Sequence, residues 1–99
     1  MTATKKWEPA EYLDTEEARQ VYLEEALAEA NGNALEVLRA LGVVARAKGL
    51  PQIAEEIGVS KQGLYKSFSD TGNPSWETVC KVADSLGLQL TFVKKVAGD

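Results

Sequence analysis

Apolar residues recur at helical spacing through most of the chain, then switch to simple alternation near its C-terminal end. Residues 1–13 show no clear period and read as an extended or partly ordered arm, with Trp7 and Tyr12 available for packing. In Asp14-Thr15-Glu16-Glu17 a capping residue is followed three positions on by a carboxylate, and Leu23, Ala26, Leu27 and Ala30 then mark one face of a first helix ending near Asn31-Gly32. Asn33 with Glu36 is a second start signal, and Ala34, Val37, Leu38, Leu41, Val44 and Ala45 continue as an apolar stripe to Gly49. Pro51 suits the first turn of a short third helix, where a missing N–H costs nothing; Ile53, Ala54 and Ile57 form its inner face and Gly58 stops it. Ser60 is a good N-cap for a fourth helix from Lys61 to about Phe68. Thr71-Gly72-Asn73-Pro74 reads as a loop, after which Ser75 caps a fifth helix carrying Trp76, Val79, Ala83 and Leu86 inward and ending at Gly87.

Beyond Gly87 the period becomes two: Leu88, Leu90 and Phe92 alternate with Gln89, Thr91 and Val93, which predicts a strand over 88–96. A lone strand leaves its own backbone groups unpaired, so pairing with a second copy or with another protein is expected. The fold class predicted is therefore all-α, five helices with a short C-terminal strand. The chain is one domain, divided into an N-terminal arm and helix (1–32), a helical core (33–87) and the strand (88–96).

Length and composition fit this reading: 99 residues, 44% of them hydrophobic, are enough for one modest core and too few for two. No apolar run approaches the length of a membrane span, and Lys5 and Lys6 are followed by no stretch resembling a signal peptide, so a cytoplasmic protein is expected. Cys80 is the sole cysteine and histidine is absent, so no intramolecular disulfide, zinc cluster or cysteine–histidine pair can be assembled. No cofactor, metal or small-molecule ligand is expected, nor is catalysis. The net charge of −4 opposes nucleic-acid binding unless charge is segregated. It is segregated: residues 1–50 hold nine carboxylates against six basic groups, whereas residues 57–69 hold Lys61 and Lys66 and no carboxylate.

That acid-free segment coincides with two short helices joined by the turn Gly58-Val59-Ser60, the layout of a DNA-binding helix-turn-helix whose second helix enters the major groove. At 100° per residue Leu64, Ser67 and Phe68 face inward, Gln62, Lys66 and Ser69 outward, and Lys61 and Tyr65 flank them. Lys61 and Lys66 can donate to guanine O6 and N7, Gln62 can make a two-pronged contact with adenine, and Tyr65 can touch a thymine methyl or a phosphate. Ser60, Ser69, Asn73 and the free N–H groups opening the helices at Gln52 and Lys61 suit phosphate oxygens. Helix–glycine–helix corners also occur in all-helical proteins that bind no nucleic acid, and exposed Lys and Gln are commonly plain solvated surface. The coincidence of turn, capping serine, inward Leu64 and Phe68 and an acid-free outer face favours DNA.

Other candidates carry less. Cys80 reads as a buried free thiol acting as a small hydrophobe, and Trp7 and Trp76 as core anchors. Gly63 inside a helix costs about 1 kcal/mol relative to alanine, which a close approach by the preceding helix or by DNA would explain, a merely tolerated glycine being equally open. Glu16, Glu17, Glu24, Glu25 and Glu29 are most simply a solvated face of the first helix.

Pro9-Ala10-Glu11-Tyr12-Leu13-Asp14, Tyr22-Leu23-Glu24-Glu25-Ala26-Leu27, Val44-Ala45-Arg46-Ala47-Lys48-Gly49, Gly63-Leu64-Tyr65-Lys66 and Gly72-Asn73-Pro74-Ser75 together resemble the addiction-module antidote proteins, a HigA-like branch of the Cro/C1-type repressor superfamily. The resemblance spans nearly the whole chain. It implies a lambda-repressor-like domain with an N-terminal helical extension, acting as a dimeric antitoxin that represses its own operon on operator DNA and binds a small basic toxin of the RelE/HigB-like, mRNA-cleaving type. The DNA-facing positions it implies are Ser60, Lys61, Gln62, Tyr65 and Lys66. This sequence departs from the wider superfamily at Leu50-Pro51-Gln52, where Thr-Gln and a longer opening are common, which bears on the phosphate contact there. Two other readings stand beside it: a transcription regulator without a toxin, and a protein-interaction adaptor that kept the fold but not DNA binding.

Overall fold

The computed structural model describes residues 13–69 and 71–96; Trp7 and Tyr12 lie outside them. Five helices follow one another: α1 (Glu16–Ala30), α2 (Ala34–Lys48), α3 (Leu50–Ile57), α4 (Lys61–Ser67) and α5 (Trp76–Ser85). Their boundaries are set by side chains that satisfy the orphan N–H groups of each first turn. Thr15, one residue later than the sequence signal at Asp14, accepts from the Ala18 amide at 3.0 Å. Asn33 accepts from Glu36 at 3.1 Å, Ser60 from Gly63 at 3.0 Å and Ser75 from Thr78 at 3.1 Å. Helix α3 has no side-chain cap; Gly49 precedes it and Pro51 occupies its first turn.

α1 and α2 lie against each other, α3 contacts α2, α4 and α5, and α2 also contacts α5. The core gathers Leu13 and Leu23, then Leu41, Val44 and Ala45 of α2, Leu50, Ile53 and Ala54 of α3, Leu64 of α4 with Phe68 just after it, and Val79 and Val82 of α5 with Leu86 just after it. Among the predicted inward positions Ala34 is exposed, and Ala26, Leu27, Val37, Leu38 and Ile57 are only partly covered. Two cationic side chains tie the C-terminal end of α2 to its neighbours: Arg46 Nη2 donates to the Phe68 carbonyl at 2.8 Å, and Lys48 Nζ donates to the Ser85 carbonyl. Each neutralises carbonyls at the negative end of another helix. No helix among the described residues is long and apolar enough to cross a membrane.

Two expectations are corrected. Trp76 is 62% exposed and not a core anchor. As the first residue of α5 it projects past the end of the stripe formed by Val79, Val82 and Ala83, where the core stops. The segment 88–96 forms no strand: no described residue is in a strand, and residues 89–96 are exposed. The physical reason is that a strand exists only through a neighbour's hydrogen bonds, and the described part of one chain supplies no neighbour.

Glycine serves at the corner and in the helix after it in two different ways. Gly58, at φ +79°, ends α3 in the left-handed region, so its N–H and that of Val59 both reach the Ala54 carbonyl, at 2.9 and 3.0 Å. Gly63 sits three residues after the cap, and a Cβ there would lie 2.9 Å from the Ser60 hydroxyl oxygen. The close neighbour at Gly63 is therefore the capping serine and not the preceding helix.

Three stability outcomes follow for urea or thermal unfolding. Leu64→Ala, which empties a site 1% exposed, should cost about 2–5 kcal/mol. Gly63→Ala should be nearly neutral, because about 1 kcal/mol of helix propensity is offset by about 1 kcal/mol of disturbed cap. On a Ser60→Ala background, where no hydroxyl obstructs the new methyl, the same substitution should stabilise by about 1 kcal/mol.

Candidate nucleic-acid interface

α4 has only seven residues, so its geometry is imposed by what holds it. Leu64 is buried on its inner side and Phe68 is buried immediately after its last turn. Ser67, half-covered as the periodicity predicts, donates its hydroxyl proton to the Gly63 carbonyl at 2.8 Å. Arg46 holds the Phe68 carbonyl from α2. The helix is thus clamped through one face and its C-terminal end.

The opposite face is open. Ser60, Lys61, Gln62, Tyr65 and Lys66 are all exposed, with Tyr65 at 49% of its full area. The helix brings Lys61, Gln62, Tyr65 and Lys66 together on one short surface, since neighbours at i+3 and i+4 share a face. The two lysines place positive charge there, and the nearest carboxylates preceding them in sequence, Glu55 and Glu56, are exposed on α3. Ser60 uses an oxygen lone pair to cap the Gly63 amide and keeps its own proton to donate.

The residues assigned to phosphate differ in what they have to offer. Gln52 is exposed on the first turn of α3, a turn with no side-chain cap, so its amide has no intrahelical partner. Ser69 is exposed, but its hydroxyl donates to the Lys66 carbonyl at 2.8 Å, which commits its single proton to closing α4. Asn73 is exposed in the loop before α5. These three lie on the first turn of α3, just after α4 and in the loop that follows, so they frame the α4 surface in sequence order while belonging to separate segments.

Sequence periodicity did not reveal the role of Arg46. Arg46 and Arg39 line a cleft with Leu35, Leu38, Phe68 and Pro74, on the α2 side of the α4 terminus. Arg39 also pairs with Glu36 at 3.3 Å on the α2 surface. A signal was available in principle, because a cation in the last turn of a helix is often committed to carbonyls, but its partner lies 22 residues away and only the fold, which brings Phe68 beside α2, defines it. Cys80 is partly buried on α5, beside Glu56, Ile57, Lys81 and Asp84.

Comparison with known proteins narrows the setting of this surface. A protein family described as "Probable addiction module antidote protein" matches residues 3–94. An uncharacterised protein of Haemophilus influenzae is 48% identical over 85 residues, covering 86% of each chain. No solved structure matches. With nearly its whole length matched, the chain belongs to the family of probable addiction module antidote proteins.

Proposed function

We propose that this chain is the antitoxin of a type II toxin–antitoxin module, a cytoplasmic, non-enzymatic protein that represses its own operon by binding operator DNA as a dimer. The observation that carries the DNA-binding part is the arrangement of α4: buried through Leu64 and Phe68, exposed through Ser60, Lys61, Gln62, Tyr65 and Lys66, and free of carboxylates over its whole length. In this reading α3 and α4 are the two helices of a lambda-repressor-like helix-turn-helix. Lys61, Gln62 and Lys66 read base edges in the major groove, Tyr65 and Ser60 border them, and Gln52, Asn73 and Ser69 position the backbone, Ser69 after releasing its bond to Lys66. Two such surfaces about 34 Å apart engage the two half-sites of an operator, which is why a dimer is required.

The family description supports the antidote role, and an antidote requires a toxin. The partner proposed is a small basic RelE/HigB-like ribonuclease, complementary in charge to a chain of net charge −4. That same net charge favours the rival reading of an adaptor without DNA binding. A regulator without a toxin is separated from the antitoxin by whether a basic protein co-purifies.

A mobility-shift assay with DNA from upstream of its own gene should give a retarded complex. Replacing both Gln62 and Lys66 by alanine should weaken it by about a hundredfold or more while leaving the unfolding midpoint unchanged, because both side chains are exposed. Retention of wild-type affinity by that double variant would remove α4 as the reading element. Co-expression with the neighbouring gene should yield a complex with a basic protein, and the binding of DNA should weaken steeply as salt rises.

A further inference from the structure

α1 packs mainly on α2, and the two helices leave an open groove of about 230 Å³ between them. Its lining is largely apolar: Tyr22 and Ala26 of α1 are partly covered, while Ala30 of α1 and Ala40 of α2 are buried. Alanine at three of these four positions keeps the groove from being filled. At its rim stand Glu29 of α1 and, from α2, Glu36 with Arg39 paired to it at 3.3 Å. Among the described residues no cation pairs with Glu29.

Glu29 is set against the local electrostatics of its own helix. It lies in the last turn of α1, a turn that holds no basic residue, so its charge sits at the negative end of the helix dipole. Glu25 stands one turn before it, and like charges at i and i+4 repel. A lysine at this position would relieve both. A carboxylate placed where its own helix disfavours it, on the lip of an apolar groove, points to a contact outside the chain.

We propose that this groove seats an arginine or lysine side chain of the basic toxin; this rests on the antitoxin reading above and names the contact. The apolar stem of that side chain lies along Ala26, Ala30 and Ala40, and its charged head meets Glu29 beside the Tyr22 ring. Glu36 is already matched by Arg39, so the groove offers one open carboxylate and takes one cation. Other occupants fit less well. Duplex DNA is repelled by Glu25 and Glu29, and a second copy brings a net charge of −4 against the same carboxylates. Small-molecule sites run to about 300–1,000 Å³, larger than this groove.

The test is calorimetric titration of the full chain with the purified product of the neighbouring gene, for wild type, Glu29→Lys, Glu24→Lys and Ala26→Leu, with thermal unfolding of each. The wild type should bind. Glu29→Lys should weaken binding about thirtyfold or more and unfold no earlier than wild type, since a lysine there suits both the helix end and Glu25. Glu24→Lys makes the same charge change about 160° around α1 from Ala26, and should lose less than about threefold. Ala26→Leu, uncharged and compatible with the helix, should weaken binding about tenfold by filling the groove. Equal losses for Glu29→Lys and Glu24→Lys would reduce the effect to net charge and overturn the proposal. Undiminished binding by either Glu29→Lys or Ala26→Leu would also overturn it, and in both cases the antitoxin reading stands. A wild type that does not bind would overturn that reading together with the groove. A Glu29→Lys variant that unfolds several degrees earlier, but not once Lys5 and Lys6 are also alanine, would assign the groove to the chain's own N-terminal lysines, and the proposal would fall.

Discussion

A helix of seven residues makes too few internal hydrogen bonds to persist in water by itself, so α4 exists because its inner side is seated in the core. Leu64 and Phe68 belong to the same buried cluster as Ile53 of α3, Val44 of α2 and Val82 of α5, and no part of the outward surface would keep its position without them. The burial of two side chains fixes the direction in which four others point. The Arg46 guanidinium adds a charge-assisted bond at the C-terminal end of α4, and Ser60 closes its N-terminal end. The helix is held at both ends and on one face, and its remaining face is free for a ligand.

This construction explains how far the sequence can be read. Caps, glycine stops and inward positions are local properties, and Asn33, Ser60, Ser75, Gly58 and Leu64 all appear in the structure as the pattern predicts. The start of α1 differs by one residue because Asp14 and Thr15 are both capping types and only the backbone path chooses Thr15. Periodicity cannot see where the core ends, and Trp76 therefore shares a helical stripe with Val79 without sharing its burial. Bonds between distant segments, such as those of Arg46 and Lys48, leave no periodic trace. The alternation after Gly87 is real in the sequence but forms no strand, since a strand needs a paired neighbour and no other described residue is in one.

Charge and fold work on different scales here. The body is acidic, and its excess of carboxylates is concentrated in the N-terminal half, where Glu24, Glu25 and Glu29 lie exposed on α1. The α4 surface carries two lysines and no acid. A protein that must hold a basic partner and a polyanion needs that separation, because screening limits each patch to interactions within about 8–10 Å. Under the proposed function the separation would have a plain use, with the α4 surface for DNA and the acidic remainder for the toxin that an antidote implies.

The central claim, that the outer face of α4 contacts duplex DNA, is tested most directly by residue-resolved NMR of the labelled chain titrated with duplex from upstream of its own gene. The account predicts that amide signals of Ser60, Lys61, Gln62, Tyr65 and Lys66 shift or broaden while those of α1 stay in place. Shifts confined to α1, or an α4 spectrum unchanged under saturating duplex, would contradict it.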